Sequence, residues 1–455
     1  MKWFLVLWTG QLLSGVGTGM SAFALGVHVF RSTGMATAFA MVVLCLFVPS
    51  IVLKPVGGVL ADRYDRRWMI IIGDVGAAAG MLFVLAMLAV RPAVIWPIYV
   101  GIGVSSAFSA LQNPAYKAAV TDLLTPEQFS RAGGLVQLAA SAQHLVSPAA
   151  AGLLMGFATI GTVLVVDMVT FGFAVVTVMA VGKFGTGGAA EATAVGSGMA
   201  KEGRTTGSVA QARKLVRELR DGWRAVTIDR RILQIVLLLS MVTFFVGFVQ
   251  TLFGPMVLTF TDARTLGTIQ SVSALGMVAT SLVLGLVSIR RNHYEMLLFG
   301  LAVAGVSLAV VGATTRIVLL TVVFFVFFAA LPLVNTGAEV LIRTAVANDN
   351  QGRAWGIIGF LSQIGYLVAY LSAGFLADHL FEPLLAESGA LAASVGRVIG
   401  VGPGRGMGFV LALAGISLAV LTAIVAFNRR SNAGRSAGDR STRSGAPAYT
   451  HEVIR

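Results

Sequence analysis

The sequence predicts an all-α polytopic membrane protein, with twelve transmembrane helices arranged as two pseudo-symmetric six-helix bundles. Of 455 residues, 56% are hydrophobic and only 12% are charged, whereas a soluble globular domain carries about 25% charged residues. Twelve apolar stretches each reach the ~20 residues that a helix needs to cross a bilayer, six before and six after a polar middle. Local patterns also recur between the halves. Asn113 precedes Arg131, Ala132 and Gly134 as Asn335 precedes Arg353, Ala354 and Gly356, an offset of 222 residues.

The amino-terminal bundle, residues 1–181, contains apolar segments near 3–30, 36–61, 68–90, 93–116, 132–156 and 159–181. Lys2 followed by an apolar run, with Ala22-Phe23-Ala24 beyond it, resembles a signal peptide. The series Gln11, Gly15, Gly17 and Gly19 instead suits a retained helix that packs closely on its neighbours. Residues 182–230 form a linker expected on the cytoplasmic side. Its first part is rich in Gly, Ala, Thr and Ser; from Ser208 the apolar spacing of Val209, Ala212, Leu215, Val216, Leu219 and Trp223 predicts an amphipathic interfacial helix. The second bundle, residues 231–428, has segments near 231–260, 265–289, 294–313, 317–342, 354–378 and 407–428, followed by a Ser/Gly/Arg-rich tail, 429–455, expected to be disordered.

The net charge of +13 follows topology rather than a nucleic-acid surface. Arg63, Arg66 and Arg67, then Lys117 and Arg131, Arg290 and Arg291, and Arg343 and Arg353 fall in alternate loops; the intervening loops hold single arginines such as Arg31, Arg91 and Arg316. Excess Lys and Arg marks cytoplasmic loops, so both termini are expected inside. Cys45 stands alone in an apolar run, and five scattered histidines have no ligand spacing, which leaves no metal site. No phosphate-binding loop and no nucleophile–base set occurs, so an enzyme is not expected.

The densest charge lies between the second and third segments, Gly58-Val-Leu-Ala-Asp62-Arg63-Tyr-Asp65-Arg66-Arg67. It allows only a tight turn. Gly58, one turn before Asp62, would let a neighbouring helix approach. Asp62 would be free to accept hydrogen bonds from another helix's amino end, where N–H groups and the dipole favour an anion. The corresponding stretch of the second half, Gly285 to Arg291, has Ile289 in place of Asp62, so the two hinges are unequal.

This stretch resembles the loop signature of the major facilitator superfamily, and the resemblance extends over residues 1 to about 428. Trp8-x-Gly10-Gln11, the Asp-Arg-Tyr-Asp-Arg-Arg form of the loop, and Gly352-Arg353 opening helix eleven resemble the branch containing enterobactin exporters and macrolide efflux proteins. The resemblance implies a drug or metabolite exporter of the bacterial inner membrane, driven by the proton gradient and needing no other cofactor. Its implied partners are protons, a small-molecule substrate and the bilayer, and it implies a monomer. In that family the aspartate matching Asp62 clasps the amino end of helix eleven, here near Arg353 and Ala354, when the cytoplasmic side is closed. Asp65 stands where the signature has glycine. An exporter signature, Gly-Pro-x-x-Gly-Gly, is present in part as Ser147-Pro148-Ala149-Ala150-Ala151-Gly152. Pro148 and Gly152 there predict either a functional helix-five bend or plain small-residue packing.

Ionisable residues inside membrane helices are costly and mark cavities or paired sites. Asp167 in helix six is the first candidate for proton exchange, with a structural brace to a neighbouring helix as the alternative. Lys54 in helix two either faces the cavity or snorkels to the inner surface. Glu339 and Arg343, four apart, read as an ion pair on one helix face. Asp74 is expected to brace the Arg63–Arg67 cluster. Gln11, Gln137, His144, Gln250 and Asn335 are candidates for a midplane pocket, or for packing alone. Proton antiport of an amphiphilic small molecule is the leading reading; a dedicated siderophore or metabolite carrier and a non-transporting sensor are the alternatives.

Overall fold

The structure is a computed structural model that describes residues 1–91, 93–181, 230–286, 292–345 and 351–444, some of them by backbone alone. The predicted linker with its amphipathic helix lies outside the described residues, except at its last position, and so does the Ile289 hinge. Among the described residues are twelve long helices in the predicted order. In the first half α1 is Lys2–Thr33, α2 Ala36–Arg63, α3 Arg66–Val90, α4 Trp96–Asp122, α5 Phe129–Phe157 and α6 Ile160–Val181. In the second, α7 is Arg230–Leu258, α8 Ala263–Leu286, α9 His293–Ala313, α10 Ile317–Ala345, α11 Gln351–Leu376 and α12 Arg405–Ser444. Eleven of them are long and apolar enough to cross a membrane. The exception is α4, whose Ser105, Ser106, Ser109, Gln112 and Asn113 dilute its apolar character.

The helix ends follow local chemistry. Gly34 closes α1 with φ of 69°, a left-handed cap that costs glycine nothing, and its N–H reaches the Phe30 carbonyl at 2.7 Å. Asp65, in the tight turn, caps α3 by accepting the Arg67 N–H at 2.8 Å. A tail disordered from residue 429 is corrected by α12, whose backbone continues to Ser444. Extending a helix from one already formed avoids the unfavourable nucleation step, so polar Ser/Arg/Ala sequence can prolong it.

Packing repeats between the halves. The pairs α3–α4, α2–α4 and α1–α5 recur as α9–α10, α8–α10 and α7–α11. The cores differ, however. The second half is centred on stacked aromatics, with Phe253 and Phe324 rings 3.7 Å apart and Phe327 beside them. That core also takes in Val27, Phe30 and Ala36 from α1 and α2. In the first half the buried side chains form several smaller clusters, and polar cavities occupy the space between helices.

Candidate functional site

Two cavities of about 240 and 270 Å³ lie within the first bundle and share Thr18, Ser109, Asn113 and Gln143 as walls. They are lined mainly by α1, α2, α4 and α5, with Met81 of α3 and Phe171 of α6, and α4 supplies most of the polarity. Ser105, Ser109, Gln112 and Tyr116 recur at i, i+4, i+7 and i+11, one face of a helix. Ser106 also lines the smaller cavity and donates to the Leu46 carbonyl of α2 at 2.5 Å. Sequence reasoning missed this face although its spacing is legible, because single serines in membrane helices usually read as packing.

Behind the larger cavity lies a closed polar ring. Asp74 of α3 is fully buried. It accepts hydrogen bonds from Gln112 Nε2 at 2.8 Å and Gln11 Nε2 at 3.2 Å, while Gln112 Nε2 also donates to Gln11 Oε1 at 3.1 Å. The expectation that Asp74 braces the arginine cluster is therefore corrected. Asp74 lies two turns beyond Arg67, roughly 10 Å along the axis at 1.5 Å per residue, and the arginines bind elsewhere. Arg66 pairs with Asp122 and donates to the Ala118 carbonyl, and Arg67 donates to the Met179 carbonyl at 3.1 Å. Arg66 and Arg67 thus tie the start of α3 to α4 and α6.

Asp167 is also fully buried, in the seam between α6 and α1. Neither of its carboxylate oxygens has a well-formed hydrogen bond, although the Ser21 and Thr170 hydroxyls stand beside the group. Gly17 of α1 makes this fit possible, since a methyl group there would sit 2.8 Å from Asp167 Oδ1. A buried carboxylate without donors is strongly penalised when ionised. Asp167 is absent from the walls of both cavities.

The other predicted residues divide. Lys54 and Gln11 line the cavities. Gln137 and His144 do not: both are exposed on α5, and Gln143 stands on the cavity wall instead. This corrects their placement by one position of helical rotation, about 100° per residue. Gln250 accepts a hydrogen bond from the Tyr370 hydroxyl at 2.6 Å, joining α7 to α11. Asn335 and Glu339 are exposed on α10 and face neither cavity. The side chains of Arg343 and Arg353 lie outside the described residues. No cluster of three or more metal-ligating side chains occurs among the described residues.

The halves meet along two seams, α5 with α8 and α2 with α11. The linker face is the side where α6 ends and α7 begins; the far face is opposite. Both seams are tight toward the far face. Pro148 and Gly152 lie directly against α8, where a methyl on Gly152 would be 2.6 Å from the Ala263 carbonyl oxygen, and the Ala149 N–H donates to Ser271 Oγ at 3.0 Å. In the other seam a methyl on Gly374 of α11 would lie 2.7 Å from Thr37 Cα, and Phe47 of α2 packs edge-on against Tyr366 and Tyr370. Asp378, just past α11, accepts the N–H groups of Ala36 at 2.9 Å and Thr37 at 2.7 Å, the amino end of α2. The sequence did not single out Asp378, since its partner is 342 residues away.

Toward the linker face the picture differs at the described residues. Asp62 is exposed, and among the described residues no hydrogen bond or ion pair reaches it. The clasp implied for Asp62 is not made in this conformation. Nor does Gly58 admit a neighbouring helix: a methyl there would meet nothing within 4 Å. The close approach is at Gly57, where a methyl would lie 2.9 Å from Leu111 Cα on α4. Glycines at Gly133 and Gly134 of α5 and Gly285 of α8 likewise border open space.

Residues 7–260 match the family model described as the Major Facilitator Superfamily. Macrolide efflux protein A of Streptococcus pyogenes is 23% identical over 384 residues, covering 83% of this chain and 90% of that protein. An uncharacterised MFS-type transporter of Bacillus subtilis, YfiS, is 24% identical over 388 residues, covering 83% and 87%. Among solved structures the nucleoside transporter NupG superposes with a TM-score of 0.70 at 14% identity, covering 93% of this chain and 99% of that one.

Proposed function

The chain belongs to the Major Facilitator Superfamily, a multi-pass membrane transporter rather than an enzyme, and from that premise we propose that it is a proton-coupled exporter of an amphiphilic small molecule. Binding alternates between the two faces as the bundles rock about the polar cavities. The observation that carries this reading is the unequal seam: both interfaces between the halves are tight at the far face, while at the linker face Asp62 itself is exposed and accepts no hydrogen bond among the described residues. One such conformation implies a second, in which Asp62 clasps the start of α11 and the far face parts. The arginine bias assigns the linker face to the cytoplasm of a bacterial inner membrane, with both termini inside, and the chain acts as a monomer powered by the proton gradient alone.

The similarity to a macrolide efflux protein supports outward transport of a drug or secondary metabolite. Asp167 is the proton carrier in this reading, because it is a fully buried carboxylate with no well-formed hydrogen bond, inside a membrane helix where an ionised group is costly. The experiment is accumulation of labelled macrolides, lipophilic drugs and siderophores in an efflux-deficient bacterial host, with and without a protonophore. Lower accumulation that the protonophore abolishes is the expected result, and Asp167→Asn should remove the dependence on external pH. Unchanged accumulation of every compound, with the protein demonstrably in the membrane, would overturn the exporter reading.

A further inference from the structure

We infer that the cavities of the first bundle recognise organic anions, with Lys54 as the counter-charge. The inference rests on the transporter reading and narrows its substrate class.

Across the walls of both cavities, Lys54 is the one charged side chain. Around it stand neutral groups able to donate and accept hydrogen bonds, among them Thr18, Ser50, Ser109, Asn113 and Gln143. Lys54 lines the smaller cavity while its side chain stays exposed, so it stands at the mouth of that space. A second cation, Lys117, is exposed on α4 toward the linker face. No carboxylate offsets the pair from within the cavities. Asp74 is fully buried with each oxygen already accepting a glutamine N–H, and Asp167 is sealed in the α1–α6 seam. On α2, Asp62 is eight residues beyond Lys54, roughly 12 Å along the helix.

A cationic ligand would therefore meet like charge with nothing to neutralise its own, and would lose solvation on entering. An anion gains a charge-assisted hydrogen bond to the Lys54 ammonium and further bonds from the hydroxyl and amide wall. Lys54 sits one residue before Pro55 in a helix that also contains Pro49. Prolines remove backbone N–H donors and bend the helix, which turns this part of α2 into a wall rather than a packed rod.

The test uses two xanthene dyes of similar shape and opposite charge, fluorescein and rhodamine 6G, binding to the full chain in lipid nanodiscs by fluorescence anisotropy, with protein-free nanodiscs subtracted. The wild type should bind fluorescein at least tenfold more tightly than rhodamine 6G. Lys54→Gln should weaken fluorescein at least tenfold, Lys54→Arg should restore it to within about threefold, and Lys117→Gln should weaken it two- to threefold. Tighter binding of rhodamine 6G, binding of neither dye, or fluorescein affinity unchanged in Lys54→Gln would overturn the inference. Flux of the same dyes into proteoliposomes separates the two levels: binding that follows charge without flux counts against transport and leaves the anion site standing.

Discussion

The two seams between the halves occupy equivalent positions, yet they are fastened differently. Gly152 on α5 and Gly374 on α11 are 222 residues apart, the offset of the internal repeat, and each lies against the amino end of a helix from the other half. At α8 that amino end is capped from its own sequence, by Asp262, whose carboxylate accepts the Thr265 N–H at 2.8 Å. At α2 the cap position is Met35, which has no side chain able to serve, and the orphan N–H groups of Ala36 and Thr37 are satisfied by Asp378 from the opposite half. One helix start is self-sufficient. The other is complete only while the far face is closed, so parting that face must break two charge-assisted hydrogen bonds, and in the proposed cycle a clasp of Asp62 on α11 would compensate for them at the linker face.

The largest effect expected from this contrast is at Asp62. Asp62→Asn should reduce transport at least tenfold while membrane insertion stays normal, because an uncharged amide gains little from a helix amino end. Normal flux would remove the compensating clasp from the account. Next come the glycines. Gly374→Val and Gly152→Val each drive a side chain into backbone, a strain of about 1–3 kcal/mol, and should part the far face. Spin labels on the exposed Met35 and Glu387, in a Cys45→Ser background, would report it as a longer distance in pulsed electron resonance; an unchanged distance in both variants would mean that the seams yield locally.

Asp378→Ala tests the trans cap itself. Losing a capping carboxylate costs about 0.5–2 kcal/mol, and here the cost falls on the closed far face alone, so the open population should rise two- to thirtyfold by the same labels. An equal loss of thermal stability with no shift in distance would make Asp378 an ordinary cap. The smallest effect is at Asp262. Asp262→Ala should cost about 0.5–1 kcal/mol of stability and leave the distance distribution alone, since its bond is broken in neither conformation. The Thr265 hydroxyl and N–H hold the Asp262 carboxyl below its ordinary value. Its folded value being depressed, the cap contributes fully above the ordinary carboxylate range near ~4 and is lost as pH falls through the folded value. A thermal melt of wild type and Asp262→Ala at descending pH should therefore converge at acid pH.

The contrast extends to the bundles. The first half surrounds polar cavities and two buried carboxylates, while the second half is filled by Phe253, Phe324, Phe327 and their neighbours. A duplicated framework thus carries a polar, hydrogen-bonding half and an aromatic, space-filling half. In the proposed cycle the polar half would offer the substrate its specific contacts, and the densely packed half would supply a rigid body.

Length, hydropathy and charge by themselves determined that this chain is a helical membrane protein of two repeated halves, because the lipid solvent leaves a backbone few ways to satisfy its N–H and C=O groups. The Asp62 loop and the unusual carboxylate at Asp167 were legible too, as charge where apolar sequence should be. Tertiary structure decided what those charges touch. Asp74 turned to Gln11 and Gln112 rather than to the arginines, Gln143 rather than His144 reached the cavity, and Asp378 closed a helix that starts 342 residues earlier. Each of those outcomes depends on the rotation of one helix against another, and that rotation is set by side chains packed between helices far apart in sequence, to which the periodicity of any single segment is blind.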